Sequence, residues 1–331
     1  MHGTRPLVDG FGRTISYVRL SVTDRCDLRC RYCMAERMQF LPRRELLTLE
    51  ELAELAAVFV RRGVRRIRLT GGEPLVRRNV EQLVRDIGAL ADEGLEEVTL
   101  TTNATQLAGK AEALFEAGIR RVNISLDSLD PERFRLITRR GDLAQVLHGI
   151  EAARAAGMAV RINMVALNGL NEDEFAPMLR WCGARGFDLC LIETMPLGFV
   201  DEDRSDRYLP LDDVKRRLEE QFTLTPSLHR SGGPARYFDV GETGTRLALI
   251  TPLTNNFCAG CNRVRVTATG TIYGCLGQEQ KVELRELLRS GGPDAVAAAL
   301  DQALAAKPER HHFAIDRAEP AVARHMSVTG G

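Results

Sequence analysis

Three closely spaced cysteines near the N-terminus have the chemistry of a metal site. In the stretch SVTDRCDLRCRYCM, Cys26, Cys30 and Cys33 follow the spacing C-x3-C-x2-C, and no histidine lies close in the sequence. A structural zinc ion takes four protein ligands, whereas iron–sulfur clusters are held by thiolates. We therefore predict a [4Fe–4S] cluster with one iron open to a small ligand. A zinc ion completed by a distant residue, and plain buried thiols, are the alternatives.

A second group of three cysteines lies in the last quarter of the chain. Cys258, Cys261 and Cys275 are spaced C-x2-C-x13-C, again without an obvious fourth ligand. The adjoining NRVRV places Arg263 and Arg265 two apart on a predicted strand, so both face one side. An open iron beside guanidinium groups suits an anionic, nitrogen-bearing ligand such as a nucleotide. A zinc ion completed by a distant histidine is the alternative.

The grouping of the cysteines also indicates the compartment. Cys182 and Cys190 stand apart from both groups and are predicted to be core thiols. In a reducing cytosol, close cysteine groups indicate metal binding rather than disulfides. The N-terminal residues lack the apolar core of a signal peptide, and no apolar run is long enough for a membrane helix. We therefore expect a cytoplasmic protein.

The amino-acid composition indicates the class of protein. Hydrophobic residues make up 44% and charged residues 27% of the 331 positions, which is typical of a soluble globular protein. Lys and Arg together number 45, as do Asp and Glu, so the net charge is zero. A general nucleic-acid or membrane-surface binder would show a basic excess. The length allows one large domain or two moderate ones.

Hydrophobic periodicity predicts alternating strands and helices through most of the chain. The predicted strands cover residues 19–23, 65–70, 96–102, 120–127, 159–167 and 188–195. The predicted helices cover residues 49–62, 79–91, 106–117, 142–156, 171–183 and 211–221, the first of them opened by a capping box from Thr48 to Glu51. Such alternation predicts a parallel sheet with crossover helices. Six units are too few for a complete eight-stranded barrel, so an open partial barrel or a doubly wound sheet is expected.

The expected active site lies at one edge of this sheet. The first cysteine loop, the glycine turn GGEP (71–74) and the residues at 101–103, 125–127 and 193–195 all follow predicted strands. The carboxyl ends of parallel strands gather ligand sites in both candidate folds. These residues are therefore expected to meet.

The pattern changes near residue 220, where we place a boundary between an N-terminal region, residues 1–220, and a C-terminal region, residues 221–331. The C-terminal region contains a predicted strand at 246–251, a hairpin at 263–275 and helical sequence at 281–306. The tail at 325–331 has no core pattern and is expected to be mobile or docked.

These motifs together resemble a known enzyme family. The cysteine loop after a first strand, with Tyr32 inside it, and GGEP after a second strand resemble the radical S-adenosylmethionine superfamily. The segment FCAGCNRVRVTATGTIYGCLG (257–277), the stretches LSVTDRC and LTGGEPLVRR, and the terminal Gly330-Gly331 resemble the GTP 3′,8-cyclase family within it. The resemblance runs from Arg19 to Gly331. It implies an α/β fold, a partial (β/α)6 TIM-like barrel followed by a C-terminal iron–sulfur region.

The resemblance implies an enzyme for the first step of molybdenum cofactor biosynthesis. It implies two [4Fe–4S] clusters and S-adenosylmethionine as cofactors. One electron from the first cluster would split the carbon–sulfur bond of S-adenosylmethionine, and the resulting 5′-deoxyadenosyl radical would take hydrogen from C3′ of GTP. The C3′ radical would attack C8 of guanine and yield 3′,8-cyclo-7,8-dihydro-GTP. The second cluster would hold the purine, while arginines would hold the triphosphate.

The resemblance also implies roles for individual residues. The first cluster would be held by Cys26, Cys30 and Cys33, and the second by Cys258, Cys261 and Cys275. S-adenosylmethionine would contact Tyr32, Gly72, Ser125 and Met195. GTP would contact Arg19, Arg68, Thr101, Arg161, Arg263 and Arg265, together with the backbone of Val264.

Two positions depart from the family's pattern. Arg161 stands where lysine is common, so the charge is kept but a planar fork replaces a point charge. Ala104 stands where glycine is common and is strained if that position requires a positive φ.

The implied partners are GTP, a reductant resembling flavodoxin or ferredoxin, and the next enzyme, cyclic pyranopterin monophosphate synthase. A homodimer is one expected assembly, and neither nucleic acid nor membrane is expected as a partner. Two other functions stay open from the residues alone. One is a radical S-adenosylmethionine enzyme with an auxiliary cluster that acts on a peptide or another substrate. The other is a zinc-bearing module that binds nucleic acid or protein.

Overall fold

The computed structural model describes residues 5–201, 204–315 and 319–330 and has a twelve-stranded sheet at its centre. The first six strands are parallel and lie in chain order. They are β1 (Tyr17–Ser21), β2 (Arg66–Thr70), β3 (Glu97–Thr102), β4 (Arg121–Ser125), β5 (Ala159–Ala166) and β6 (Asp188–Glu193). A sequential order is that of a barrel wall, whereas a doubly wound sheet reverses its order partway. The partial barrel is therefore confirmed over the doubly wound alternative.

Helices connect these parallel strands. They are α1 (Leu49–Arg61), α2 (Val80–Gly88), α3 (Ala111–Glu116), α4 (Pro131–Thr138), α5 (Leu143–Ala155), α6 (Phe175–Gly183), α7 (Arg204–Arg207) and α8 (Leu211–Glu219). The predicted capping box is present, because Thr48 Oγ1 accepts from the Glu51 amide at 3.1 Å and Glu51 Oε2 accepts from the Thr48 amide at 2.8 Å. Such a cap contributes about 1 kcal/mol. No described helix is both long and apolar enough to span a lipid bilayer.

The strands of the C-terminal third extend the same sheet at both of its edges. They are β7 (Leu224–Pro226), β8 (Arg236–Val240), β9 (Arg246–Ile250), β10 (Arg263–Val266), β11 (Thr271–Tyr273) and β12 (Lys281–Glu283), followed by α9 (Arg285–Ala305) and α10 (Met326–Thr329). β9 pairs in parallel with β6, while β10 pairs in parallel with β1 and sets Arg265 opposite Arg19. The last third of the chain therefore completes the wall that the first strands begin.

Alternation along the strands separates the core from the cavity side. On β2, Ile67 and Leu69 are fully buried in the main hydrophobic core, whereas Arg68 between them lines a cavity. On β10, Val266 belongs to the core while Arg263 and Arg265 line the same cavity. Since successive side chains on a strand point to opposite faces, the core residues fix the direction of the arginines.

Three predicted helices begin later in the structure than expected, and the one predicted at 171–183 begins at Phe175. The helix predicted at 106–117 begins only at Ala111, because Thr105 bonds instead to Asn103 and to the cysteine loop. The helix predicted at 281–306 begins at Arg285, because residues 281–283 pair with β11. It is also interrupted at Gly292, where φ is 65°, and the following Pro293 has no N–H to donate.

Besides the one-turn helices α7 and α10, one longer helix escaped the sequence prediction. α4 is capped by Asp130, whose carboxylate accepts from the Arg133 amide at 2.7 Å, and it carries Pro131 in its first turn. An acidic cap before a proline is a helix start signal. This helix contacts the first cysteine loop, so its omission concealed one support of the site.

Ala104 has the left-handed conformation that its place in the family's pattern suggested. Its φ is 63°, and the residue is fully buried. A left-handed conformation costs a residue with a Cβ about 1–2 kcal/mol. The conformation is held from both sides, because the Ala104 amide bonds to Thr102 Oγ1 and α5 packs Gly149 against the Ala104 carbonyl.

Candidate active site

The first cysteine triad lies on the loop that follows β1. The backbone of this loop runs beside the end of α4, with the Arg29 amide bonded to the Thr138 carbonyl at 3.0 Å. The side chain of Asp27 accepts hydrogen bonds from Asn103 Nδ2 at 2.7 Å and Thr105 Oγ1 at 2.6 Å. The loop is therefore anchored to α4 and to the residues that follow β3.

The glycine turn after β2 is packed directly against the cysteine loop. The Gly72 amide donates to the Thr23 carbonyl at 2.9 Å, so this N–H is already used within the protein. A Cβ on Gly72 would lie 2.3 Å from the Arg25 carbonyl oxygen and 2.7 Å from that of Asp24. Glycine is therefore required for the close approach of the two backbones.

Gly72→Ala is expected to displace the cysteine loop and to lower iron content and S-adenosylmethionine affinity together. Overpacking of this kind costs about 1–3 kcal/mol. Iron analysis and equilibrium binding under anaerobic conditions would measure the effect. Gly109→Ala is the matched control, because nothing lies within 4 Å of the added Cβ. Normal iron content and affinity in the Gly72 variant would contradict the packing argument.

The glutamate of the glycine turn holds the ends of two strands together. Glu73 is buried, and its carboxylate accepts from the Asn103 amide at 2.6 Å, Thr102 Oγ1 at 2.7 Å and the Leu75 amide at 3.0 Å. Burial raises the pKa of Glu73 to about 7 despite these donors. The sequence prediction found the turn but not this carboxylate as its support.

A cavity opens in front of this loop. Every residue that was predicted to hold the first cluster or S-adenosylmethionine lines it, namely Cys26, Cys30, Cys33, Tyr32, Gly72, Ser125 and Met195. Thr101 also lines this first cavity, rather than the arginine-rich cavity that contains the other predicted GTP contacts.

The donor set of the first cavity fits an iron–sulfur cluster. Burial raises the pKa of all three thiols, that of Cys33 to about 12, so their thiolate forms need a bound metal. Among the described residues, no three His, Cys, Asp or Glu side chains converge as a single metal ion requires. In a cubane each cysteine binds a different iron, so three thiols on one loop are a fitting donor set for such a cluster.

Tyr32 is oriented by a buried carboxylate in the first cavity. Its hydroxyl donates to Asp127 Oδ2 at 2.8 Å, and the other carboxylate oxygen accepts from the Val165 amide at 2.8 Å. Burial raises the pKa of Asp127 to about 6. Asp127 acts through hydrogen bonds to its neighbours, and we assign it no acid–base role.

A second cavity contains the other cysteine triad. Its lining joins the C-terminal cysteines to cationic residues of β1, β2, β5 and β10. The predicted residues on its wall are Cys258, Cys261, Cys275, Arg19, Arg68, Arg161, Arg263, Val264 and Arg265. The wall of this cavity therefore contains three predicted cluster ligands and three predicted GTP contacts from the last third of the chain. It also contains three arginines from the first two thirds.

The arginines of the second cavity have few anionic partners within the described residues. The Nε atoms of Arg19, Arg68 and Arg161 are buried without a hydrogen-bond partner there. Burial and the neighbouring Arg265 lower the pKa of Arg19 well below its usual value, and burial followed by Arg263 lowers that of Arg265 to about 9. Crowded, desolvated cations are unfavourable unless an anion joins them. The cavity is therefore built for a polyanion.

The second triad also lies in a cationic environment. Burial acts to raise the pKa of the Cys261 thiol, but Arg263 and Lys307 outweigh it and the pKa is lowered. Arg161 keeps the charge of the lysine common in the family and uses one arm of its fork on the Tyr237 hydroxyl at 2.8 Å. Its Nε stays available to a ligand.

The C-terminal tail is docked into the second cavity's wall. Arg265 Nη1 donates to the carbonyl oxygens of Gly330 and of Thr329, the latter at 3.3 Å. Gly330 has a φ of 76°, and a Cβ there would lie 2.0 Å from Thr70 Oγ1. Of the two expected states of the tail, the structure has the docked one; Gly331 lies outside the described residues.

The two cavities share a wall. Asn163, Ile192, Met195 and Met326 line both of them. The sequence analysis identified only Met195, although Asn163 lies two residues after Arg161 on β5 and period two places both on one face. The buried Oδ1 of Asn163 has no partner among the described residues, so it is a polar group available at the junction.

Comparisons with known proteins identify the family of the chain. Residues 20–182 match the family model for the radical SAM superfamily, and residues 187–313 match the model described as Molybdenum Cofactor Synthesis C. The chain is 62% identical to the GTP 3′,8-cyclase of Erythrobacter litoralis over 98% of both chains. It is 58% identical to that of Rhizobium meliloti, over 99% of this chain and 95% of the relative.

Among solved structures, Streptococcus suis SuiB bound to S-adenosylmethionine resembles the fold. The TM-score is 0.61 at 15% identity, over 96% of this chain and 78% of that chain. Such low identity supports the fold alone. The predicted fold class and family are thus confirmed, and the chain belongs to the radical SAM superfamily and, within it, to the GTP 3′,8-cyclase family.

Proposed function

We propose that this chain is a radical S-adenosylmethionine lyase that converts GTP into (8S)-3′,8-cyclo-7,8-dihydroguanosine 5′-triphosphate, the first step of molybdenum cofactor biosynthesis. The relatives that carry the name GTP 3′,8-cyclase match the chain over nearly its full length. The single observation that carries the proposal is the pair of adjoining cavities, each with its own cysteine triad. One of them is surrounded by arginines without anionic partners among the described residues.

The first cavity supplies the cofactor site in this proposal. Cys26, Cys30 and Cys33 hold a [4Fe–4S] cluster, and Tyr32, Gly72, Ser125 and Met195 surround S-adenosylmethionine. When bound, this cofactor pair supplies reductive carbon–sulfur cleavage and an acceptor for one hydrogen atom of the substrate. The chain itself anchors the loop through Asp27 and closes it against the glycine turn.

The second cavity supplies the substrate site in this proposal. Cys258, Cys261 and Cys275 would hold the second [4Fe–4S] cluster, which would bind the purine. The triphosphate carries about four negative charges and meets Arg19, Arg68, Arg161, Arg263 and Arg265, whose forks stay protonated. Val264 contributes its backbone. Thr101 lines the cofactor cavity, so we place its GTP contact near the shared wall rather than at the triphosphate.

The runner-up function is another radical S-adenosylmethionine enzyme with an auxiliary cluster that acts on a peptide. SuiB shares the fold at 15% identity, which carries no argument about substrate. Several arginines of the second cavity have Nε atoms without a hydrogen-bond partner among the described residues. Guanidinium groups bind phosphate oxygens more strongly than the neutral groups of a peptide backbone, so this cavity suits a polyphosphate better than a peptide. A zinc-bearing binding module does not explain two adjoining cavities with separate thiol triads.

One experiment tests the proposal directly. GTP deuterated at C3′ is incubated anaerobically with the protein, S-adenosylmethionine and a strong reductant. The product is an isomer of GTP, because C3′ loses a hydrogen atom while one electron and one proton are added to the purine. Chromatography must therefore resolve the product, and deuterium must appear in 5′-deoxyadenosine. Unlabelled 5′-deoxyadenosine, or unchanged GTP beside it, would contradict the proposal.

Finer expectations belong to the same proposal. The reaction consumes electrons, so the enzyme needs a reductant, for which we propose a flavodoxin- or ferredoxin-like carrier. We propose transfer of the product to cyclic pyranopterin monophosphate synthase, a homodimeric assembly, and a cytoplasmic location that keeps the eight free cysteines reduced. We also retain a functional division near residue 220, with the first cluster in residues 1–220 and the second in residues 221–331.

A further inference from the structure

Lys307 is a buried cation that lies next to the second cysteine triad. It follows α9, is 3% exposed, and its Nζ lies 3.6 Å from the Sγ of Cys261. Lysine is almost never buried without an anionic partner. Within the described residues, this thiol sulfur is the one side-chain partner recorded for the Lys307 ammonium group. A thiolate bound to iron would be the anion that the site otherwise lacks.

Three segments of the chain fix the position of Lys307. Gly274, next to Cys275, allows the close approach, because a Cβ there would lie 2.9 Å from the Cβ of Lys307. Arg13 donates to the Cys258 carbonyl at 2.8 Å and to the carbonyls of Pro308 at 2.7 Å and Glu309 at 2.6 Å. The residues after Lys307 are thereby tied to the triad itself. This arrangement is a built contact rather than the chance position of a flexible side chain.

Lys307 differs from the five arginines in its location. The arginines line the second cavity, where a substrate would lie, whereas Lys307 is not among the described residues that line either cavity. It contacts Cys261 of the triad without lining the cavity that the arginines surround. Its charge can therefore act on whatever the cysteines hold without touching GTP.

We propose that Lys307 is a positioning residue that stabilises the reduced form of the second cluster and sets its reduction potential. The proposal rests on the presence of that cluster, as in the proposed function. One-electron reduction takes the [4Fe–4S] core from the 2+ to the 1+ state, so the cluster with its thiolates gains one negative charge. A fixed ammonium group stabilises the more negative form more strongly, and a buried pair is little screened by salt. Hydrogen bonds to sulfur act in the same direction.

Lys307→Met in the anaerobically reconstituted full-length protein tests this role. The variant removes the charge and the N–H donors while it keeps an unbranched buried chain. We expect the equilibrium constant for reduction of the second cluster to fall at least about tenfold, which is 59 mV for one electron. Redox titration followed by electron paramagnetic resonance measures it. The same titration in a chain that lacks the three thiols of the first triad removes the overlapping signal.

Two further variants complete the test. Lys307→Arg keeps the charge and is expected to restore most of the potential. Lys281→Met removes an exposed lysine that pairs with Glu283 on β12, and it should leave both potentials unchanged. The potential of the first cluster should be the same in every variant. A merely structural role for Lys307 predicts no shift of potential in protein that carries both clusters.

The possible results separate the inference from the function on which it rests. An unchanged potential in Lys307→Met, with two clusters present, would overturn the inference alone. Loss of the second cluster from both Lys307→Met and Lys307→Gln would make Lys307 a structural residue and would also overturn it. Wild-type protein with iron for one cluster would overturn the proposed function as well.

Discussion

Cys26→Ala is expected to abolish reductive cleavage of S-adenosylmethionine. The loop offers three thiols to the four irons of the first cluster, and the loss of one thiol leaves a second iron without a protein ligand. Anaerobic assays should detect 5′-deoxyadenosine at less than about a thousandth of the wild-type rate, because no other described cysteine lines that cavity. Chromatographic measurement of 5′-deoxyadenosine per cluster is the readout. Persistent cleavage in the variant would remove the triad from the cofactor site.

Two matched cysteine variants sharpen this prediction. Cys182→Ala removes a thiol that is fully buried in α6, away from both cavities, and it should keep cleavage and cyclisation. Cys258→Ala removes a ligand of the second cluster and should lose GTP binding and cyclisation, yet retain cleavage of S-adenosylmethionine uncoupled from product. Loss of cleavage in the Cys258 variant as well would show that the two sites are not independent.

Arg19→Met is expected to change stability and substrate binding in opposite directions. The Nε atom of the half-buried Arg19 is buried without a partner among the described residues, and Arg265 and Arg68 repel the guanidinium group, so removing it should stabilise the substrate-free protein by about 1–3 kcal/mol. It should also weaken GTP binding about 10- to 100-fold, because a charge-assisted contact to phosphate is lost. Denaturant unfolding and calorimetric titration under anaerobic conditions would measure the two effects.

The control for this pair of effects is a buried arginine whose donors are satisfied. Arg62 bonds to the carbonyls of Arg5 at 2.9 Å and Ala297 at 2.7 Å and to Asp301 at 2.5 Å, outside both cavities. Arg62→Met should therefore destabilise the protein and leave GTP affinity unchanged. If Arg19→Met lowered stability in the same way, the cavity would not be a strained anion receptor.

The two cysteine triads and the parallel sheet were predictable because their signals are local or periodic. Spacing indicated both triads, whereas alternation of strands with helices left a partial barrel and a doubly wound sheet open, and the family resemblance favoured the barrel. Period two on β10 placed Arg263 and Arg265 on one face, where the structure has them. On β5 the same period of two predicts that Asn163 lies on the same face as Arg161, and therefore on the cavity side.

What the sequence could not provide depends on contacts distant along the chain. The parallel pairing of β10 with β1 brings Arg265 beside Arg19, and no local pattern near either residue reports it. The contact of Lys307 with Cys261 is likewise set by the Arg13 side chain and by a glycine next to Cys275. Residues 281–283 were predicted as helical because hydrophobic periodicity is judged over a few neighbouring residues, and their pairing partner, β11, lies earlier in the chain.

β9 pairs with the edge strand β6, and β10 pairs with the edge strand β1. The ribosome must therefore synthesise the chain beyond residue 266 before both edges of the six parallel strands are paired. A chain truncated at residue 220 would leave two rows of free amides and carbonyls, which invite intermolecular strand addition. Such a fragment should accumulate as aggregates even though it holds the whole first triad. Experiments that study one cluster without the other therefore need point substitutions in the full-length chain rather than separate halves of it.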